Sequence, residues 1–240
     1  MDEQLYAIPV NDAFDAECEC PVCVMYASLE KNAIEFTMGP SYMEDDVRME
    51  TNKVGFCPNH VKMMYGEQNR LGLALMLHTH MQEVCKQTEK LQKKGRSSGG
   101  GLFKKNSDGS PVSAYMRQLG KSCYICNRIT GIFERYIDTI FYLFKKEESF
   151  RTKFNASKGF CTNHYAVLYD AAANYLSGKE LDSFTKKLDE LFLTNMERVR
   201  DDIEWYTDKF DYRNKDADWK NSKDAVPRTI RKLDSIEIEL

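Results

Sequence analysis

No stretch of the 240-residue sequence stays apolar for long enough to cross a bilayer. The opening segment, MDEQLYAIPVNDAFDAE, has neither a basic leader nor an apolar run, so no secretory signal and a cytoplasmic address are expected. Charge of one sign is also missing. Lys and Arg number 34 against 37 Asp and Glu, and a net charge of -3 makes bulk electrostatic attraction to nucleic acid weak. No convincing strand run of alternating apolar and polar residues appears, which argues against a β fold. The nucleophile elbow, the Walker phosphate loop, the dinucleotide fingerprint and the HExxH zinc-protease helix are all absent, and with them the sequence signs of the common enzyme classes.

What the chain does have is eight cysteines. In a reducing compartment they are poor material for a disulfide framework and better suited to holding metal. Six of them fall into a pattern written twice. Cys20 and Cys23 form CPVC and are followed, after 33 intervening residues, by Cys57 and His60 in GFCPNH. Cys123 and Cys126 form CYIC and are followed, after 34 intervening residues, by Cys161 and His164 in GFCTNH. Residues three apart share one face of a helical turn, so each short motif presents two donor atoms together. Two such motifs complete a tetrahedron of three thiolates and one imidazole, a common structural zinc set.

The expectation is therefore two Cys3His zinc sites, one in each half of the chain, with an iron-sulfur centre or redox dithiols as the alternatives. Pro21 and Pro58 suit the first turn of a helix, placing Cys20 and Cys57 near N-caps, where the helix dipole favours ionised sulfur. Gly55 and Gly159 are expected to supply the sharp turn into each CxxH helix. Cys18 and Cys85 have no counterparts in the other half and read as packed or incidental thiols. His78 and His80 read as ordinary histidines on an apolar helix rather than as ligands.

From Cys126 onward, Ile129, Ile132, Phe133, Tyr136, Ile137, Ile140 and Phe144 recur at helical period. The spacer in each half is long enough for one helix out and a second back. In the first half GPSYMEDD marks the break, with Ser41 and Glu44 placed as a capping box. A third helix starts at each CxxH. In the first half it runs on through VKMMYGEQNRLGLALMLHTHMQEVCKQTEKL, and in the second it is interrupted at Ser177 and Gly178. A long helix follows, carrying Leu181, Phe184, Leu188, Leu191, Phe192, Val199, Ile203, Tyr206 and Phe210 on one face. The reading is an all-α fold built from a duplicated helical unit: residues 1–91 as the first unit, 92–111 as a Gly/Ser/Lys linker, 112–208 as the second and 209–240 as an aromatic-basic tail, the two units packed as one globule.

The linker basic residues Lys93, Lys94, Arg96, Lys104 and Lys105 read as a solvated loop. In the tail, Phe210, Tyr212 and Trp219 interleave with Lys and Arg. Folding back is the leading expectation there, and anion or nucleic-acid binding through Arg213, Lys215, Arg228 and Arg231 is the alternative.

The two CxxC pairs, GFCPNH, GFCTNH and the tail WYTDKFDYRNKDADWKNSKDAVPRTIRKL together resemble a bacterial family known as domain of unknown function 6062. The resemblance spans nearly the whole chain. It implies that the paired motifs and the tail belong to one design, and it brings no activity, substrate or partner. The function expected from the residues is a zinc-stabilised scaffold or adaptor that binds a protein partner. A metal-thiolate enzyme or redox sensor is the second reading, and nucleic-acid or anion binding through the linker and tail is the third.

Overall fold

The computed structural model describes residues 3–97 and 110–238, and among these the secondary structure is helical throughout, with no strand. Eleven α-helices follow in order: α1 Glu3–Asp15, α2 Pro21–Met38, α3 Asp45–Val54, α4 Pro58–Gly66, α5 Arg70–Ser97, α6 Pro111–Leu119, α7 Tyr124–Lys146, α8 Glu148–Ala156, α9 Thr162–Tyr175, α10 Gly178–Asp208 and α11 Ala225–Asp234. The order long helix, short helix, CxxH helix, long helix is met twice, as α2 to α5 and as α7 to α10.

The chain divides into two compact units, but not at the expected linker. One unit is Met1–Ser28 with Phe133–Leu240, and the other is Leu29–Ile132. Helices α2 and α7 each run through the division, so the halves of the sequence are not the units of the structure. Of the stretch 92–111 expected as linker, residues 98–109 lie outside the described residues, 92–97 continue α5, and the Ser110 hydroxyl caps α6 by accepting from the Ser113 amide. Lys104 and Lys105 belong to the undescribed part.

The first unit is held by an aromatic cluster. Phe14, Phe150, Phe154, Phe160 and Phe184 are buried, with the Phe14 ring 4.9 Å from Phe150 and the Phe154 ring 5.4 Å from both Phe160 and Phe184. Rings at this spacing meet edge-on or tilted, which aligns the positive edge of one with the negative face of the next. Helix α10 contributes Phe184, Leu188, Leu191 and Val199 to the buried side, as its periodicity requires, whereas Phe210 lies beyond its end and is 74% exposed. The second unit buries aliphatic and thioether groups instead, among them Ile34, Met38, Val47, Met64, Leu73 and Met76.

Two local expectations are corrected. Ser41 and Glu44 make no capping box: Pro40–Met43 is a 3-10 turn, and Glu44 is itself the N-cap of α3, without a side-chain bond. The helix expected to run unbroken from His60 into the 90s stops at Gly66 and restarts at Arg70. Asn69 enforces the restart, because its side-chain oxygen accepts from the Gly72 amide at 2.8 Å while its side-chain nitrogen donates to the Met38 carbonyl at 2.8 Å.

The tail folds back in part. Helix α11 packs on α9 and α10, the Trp205 indole donates to the Asp218 carbonyl at 2.9 Å, and the buried Lys209 ammonium donates to the carbonyls of Asn214, Lys215 and Ala217. Phe210 and Tyr212 stay in solvent, Tyr212 being 86% exposed.

Candidate metal centres

Each of the four short motifs opens a helix with its first cysteine at the N-cap. The Val24 amide bonds the Cys20 carbonyl at 3.3 Å, Val61 bonds Cys57 at 3.0 Å, Asn127 bonds Cys123 at 3.0 Å and Tyr165 bonds Cys161 at 2.8 Å. Pro21 and Pro58 occupy first-turn positions, where the missing N–H breaks no bond. The turns into the CxxH helices are made by Gly55 at φ 64° and Gly159 at φ 73°, a left-handed region that costs any residue with a Cβ.

The structure gathers all eight side chains into two quartets, but the quartets are crossed. Cys20 and Cys23 join Cys161 and His164, while Cys57 and His60 join Cys123 and Cys126; within each, the donor atoms lie within 4.8 Å of one another. The expectation that each half closes its own site is thereby overturned, and helix lengths give the reason. Helix α2 has 18 residues and α3 has 10, so the outward path of about 27 Å exceeds the return of about 15 Å. For α7 and α8 the residue counts are 23 and 9, or about 34 Å against about 13 Å. A CxxH motif at the end of the short return cannot regain the CxxC at the start of its own long helix.

In the first quartet Cys23 Sγ is 3.6 Å and Cys20 Sγ 3.9 Å from Cys161 Sγ, and His164 Nδ1 is 3.1, 3.3 and 3.6 Å from the sulfurs of Cys161, Cys23 and Cys20. All four residues are buried. In the second quartet His60 Nδ1 lies 3.3 Å from each of the sulfurs of Cys57, Cys123 and Cys126. A single ion bound at about 2.3 Å to sulfur and about 2.0 Å to nitrogen sets tetrahedral edges of about 3.8 Å between sulfurs and about 3.5 Å from sulfur to nitrogen. The observed spacings fit those edges. They also exceed a disulfide bond of about 2.05 Å, and all eight cysteines are free.

Proton sharing among the side chains shows how the quartets handle charge. In the first, burial and a hydrogen bond to Cys161 push the Cys20 thiol up to about 12, while Cys161, accepting from Cys20 and Cys23, is held far below the usual thiol range. In the second, burial opposes ionisation of Cys123, but hydrogen bonds from His60 and from the Cys126 amide overcome it and bring the thiol down to about 6. Burial likewise disfavours protonated His60, yet its bonds to Cys123 and Glu30 raise it to about 10. Backbone amides of His164 and Cys126 donate to Cys161 Sγ and Cys123 Sγ at 3.4 and 3.5 Å, adding to the pull of two helix N-termini on each thiolate group.

Several supporting groups were not singled out by the sequence motifs. Glu30 Oε1 accepts from His60 Nε2 at 2.9 Å, which leaves Nδ1 as the ligating nitrogen and orients the ring. At the first quartet the Ser235 hydroxyl donates to Cys161 Sγ at 3.0 Å. Buried Lys232 donates to the carbonyls of Glu19 and Lys158, one residue before Cys20 and three before Cys161, and its ammonium is 3.4 Å from Glu19 Oε2. That cation stands beside a quartet whose formal charge with a divalent ion is about -1. Lys232 lies seven residues after the buried Ala225 and so on the same face of α11, a hint that periodicity alone could have given.

The remaining candidates fall outside the quartets. Cys18 points its thiol to the Ala13 carbonyl at 3.9 Å, Cys85 is exposed, His78 is exposed, and His80 Nδ1 bonds the Asn52 carbonyl at 2.7 Å. Among the tail residues considered for anion binding, Arg213 pairs with Asp211, Arg228 with Asp202 and Asp224, and Arg231 with Glu237, while Lys215 is exposed. No helix among the described residues is long and apolar enough to cross a membrane.

A family model, that of a family of unknown function numbered DUF6062, matches residues 1–239. No curated protein and no solved structure matches the chain.

Proposed function

The chain belongs to DUF6062, a family of unknown function, and we propose that it is a zinc-stabilised cytoplasmic scaffold that works by binding a protein partner. The observation that carries this reading is the pair of closed quartets, each joining two segments far apart in sequence through four protein donors. A catalytic zinc keeps one position for water, whereas here three sulfurs and one nitrogen supply all four. Spacings of 3.1 to 3.9 Å suit one ion, while an iron-sulfur cluster spreads its ligands around several metal atoms, so a mononuclear site is favoured. Zinc supplies a redox-inert cross-link, and in small peptides such a link contributes about 10–16 kcal/mol of apparent binding energy to folding.

Binding rather than catalysis is supported by what lies outside the quartets. Phe210 and Tyr212 stand in solvent two residues apart, 74% and 86% exposed, as aromatic anchors of interfaces do before they are covered. Arg213, Arg228 and Arg231 already face carboxylates, which weakens the case for a phosphate-backbone grip through them. The test is elemental analysis of gently purified protein, with two zinc ions per chain expected, followed by chelation and circular dichroism. Loss of helicity and of a cooperative melt on chelation is expected. Metal-free protein that melts as cooperatively as the untreated sample overturns the reading.

A further inference from the structure

A cleft of about 480 Å³ lies where the segment before Cys20, the segment before Cys161, helix α10 and the tail meet. Five cations line it, Lys158, Arg198, Lys220, Lys223 and Arg228, against three carboxylates, Glu19, Asp202 and Asp224. The two arginines are engaged by the carboxylates: Arg198 bonds Glu19 at 2.5 Å and Arg228 bonds Asp202 at 2.7 Å and Asp224 at 2.9 Å. None of the three lysines bonds a carboxylate of the cleft lining. Lys158 meets Glu17 in an exposed pair that solvent screens, and Lys220 lies 3.8 Å over the Trp205 ring, held by a backbone at φ 52° that residues other than glycine seldom adopt. Lys223 is exposed. The balance of five cations and three anions leaves the charge of a dianion to be matched.

Two buried polar atoms of the same cleft have no partner. Glu19 is 8% exposed and its Oε2 is engaged by Arg198 and Lys232, but its Oε1 accepts nothing. The Nε of Arg228 donates to nothing. A buried acceptor and a buried donor left bare are costly, and a hydroxyl group, which can donate to the one or accept from the other, suits either.

We propose that this cleft binds a small phosphomonoester carrying a hydroxyl group, with Lys158, Lys220 and Lys223 facing the phosphate and Glu19 Oε1 and Arg228 Nε facing the hydroxyl. The site is distinct from the metal quartets, and its ligand is recognised whether or not the scaffold reading above holds. Glu19 directly precedes Cys20, so an occupied cleft also fixes the segment that leads into the first quartet.

Calorimetric titration of the full, metal-loaded chain with glycerol 3-phosphate, propyl phosphate and inorganic phosphate tests this. Glycerol 3-phosphate is expected to bind at least about tenfold more tightly than propyl phosphate, since the latter leaves both buried groups bare. The double substitution Lys158→Gln and Lys223→Gln, both solvent-facing, should weaken binding by about tenfold or more at low salt with helicity and metal content unchanged. Glu19→Gln should erase the preference for the hydroxyl-bearing ester, and Arg228→Lys serves the same purpose should Glu19→Gln fail to fold. No binding of any probe at millimolar concentration, equal affinity for the two esters, or a double variant that binds like the parent overturns the proposal, leaving water as the partner of the two buried atoms.

Discussion

Glu30 meets His60 across thirty residues of chain, and the geometry gives its carboxylate a defined role, which is to fix the tautomer that leaves Nδ1 free for metal. Glu30→Ala should lower metal affinity at the quartet of Cys57, His60, Cys123 and Cys126 by about 10 to 100-fold, with Glu30→Gln milder because an amide oxygen still accepts the bond. Chelator competition checks this with an internal standard, since the other quartet should keep its affinity. Nothing in the sequence marks Glu30. It lies in α2, the helix begun by Cys20 and Cys23, yet serves the quartet to which those cysteines do not belong, so motif spacing could not have found it. Tyr175 carries a second expectation at this scale. Its hydroxyl donates to Asp138, and that bond keeps the phenol protonated to about 12 against an ordinary value near 10. Between those values the folded chain binds more protons than the unfolded one, so this contribution is complete below pH ~10 and is lost as pH rises through the folded value. In Tyr175→Phe the corresponding alkaline fall in stability should be absent, as urea melts on either side of that window will read.

At the scale of elements, the helix starts were legible because they rest on local chemistry. A cysteine cap, a first-turn proline and a glycine before the turn do not depend on what packs later. The break between α4 and α5 was legible only in part: Gly66 and Asn69 are weak helix formers that suit an end and a cap, but the apolar residues that follow invite one continuous helix, and the restart also depends on the Asn69 side chain reaching Met38, a tertiary contact. The two motif glycines look equivalent in sequence and are not so in structure. A Cβ at Gly55 would clash with the His80 ring, whereas one at Gly159 would meet the Leu191 carbonyl oxygen of α10 at 2.8 Å. At either position a residue with a Cβ incurs about 1–3 kcal/mol for a backbone at positive φ, which at Gly55 is combined with ψ -150°. A ring can turn aside at the cost of its bond to the Asn52 carbonyl, but a helix carbonyl cannot move without its helix. Gly159→Ala should therefore destabilise by more than about 2 kcal/mol and Gly55→Ala by less, measured as shifts of the urea midpoint at constant slope.

At the scale of the molecule, the sequence revealed all eight donors and the all-helical class, but not which donors share an ion. Two pairings satisfy the motif count equally well, and the choice between them lies in the unequal lengths of outward and return helices, which depend on where α3 and α8 begin. The crossing has a stoichiometric consequence. If each half closed its own site, replacing Cys20 and Cys57 by serine would damage one quartet and spare the other. With the observed pairing, Cys20→Ser with Cys57→Ser removes one thiolate from each quartet, whereas Cys20→Ser with Cys161→Ser removes two from a single quartet. The first double variant should weaken both metals, and the second should lose one while holding the other at full affinity, as metal-to-protein ratios after mild chelation will show. The same topology predicts that residues 1–91, expressed alone, form no Cys3His site of native affinity, because the CxxC and the CxxH in that fragment belong to different ions and each lacks the partner supplied by the second half.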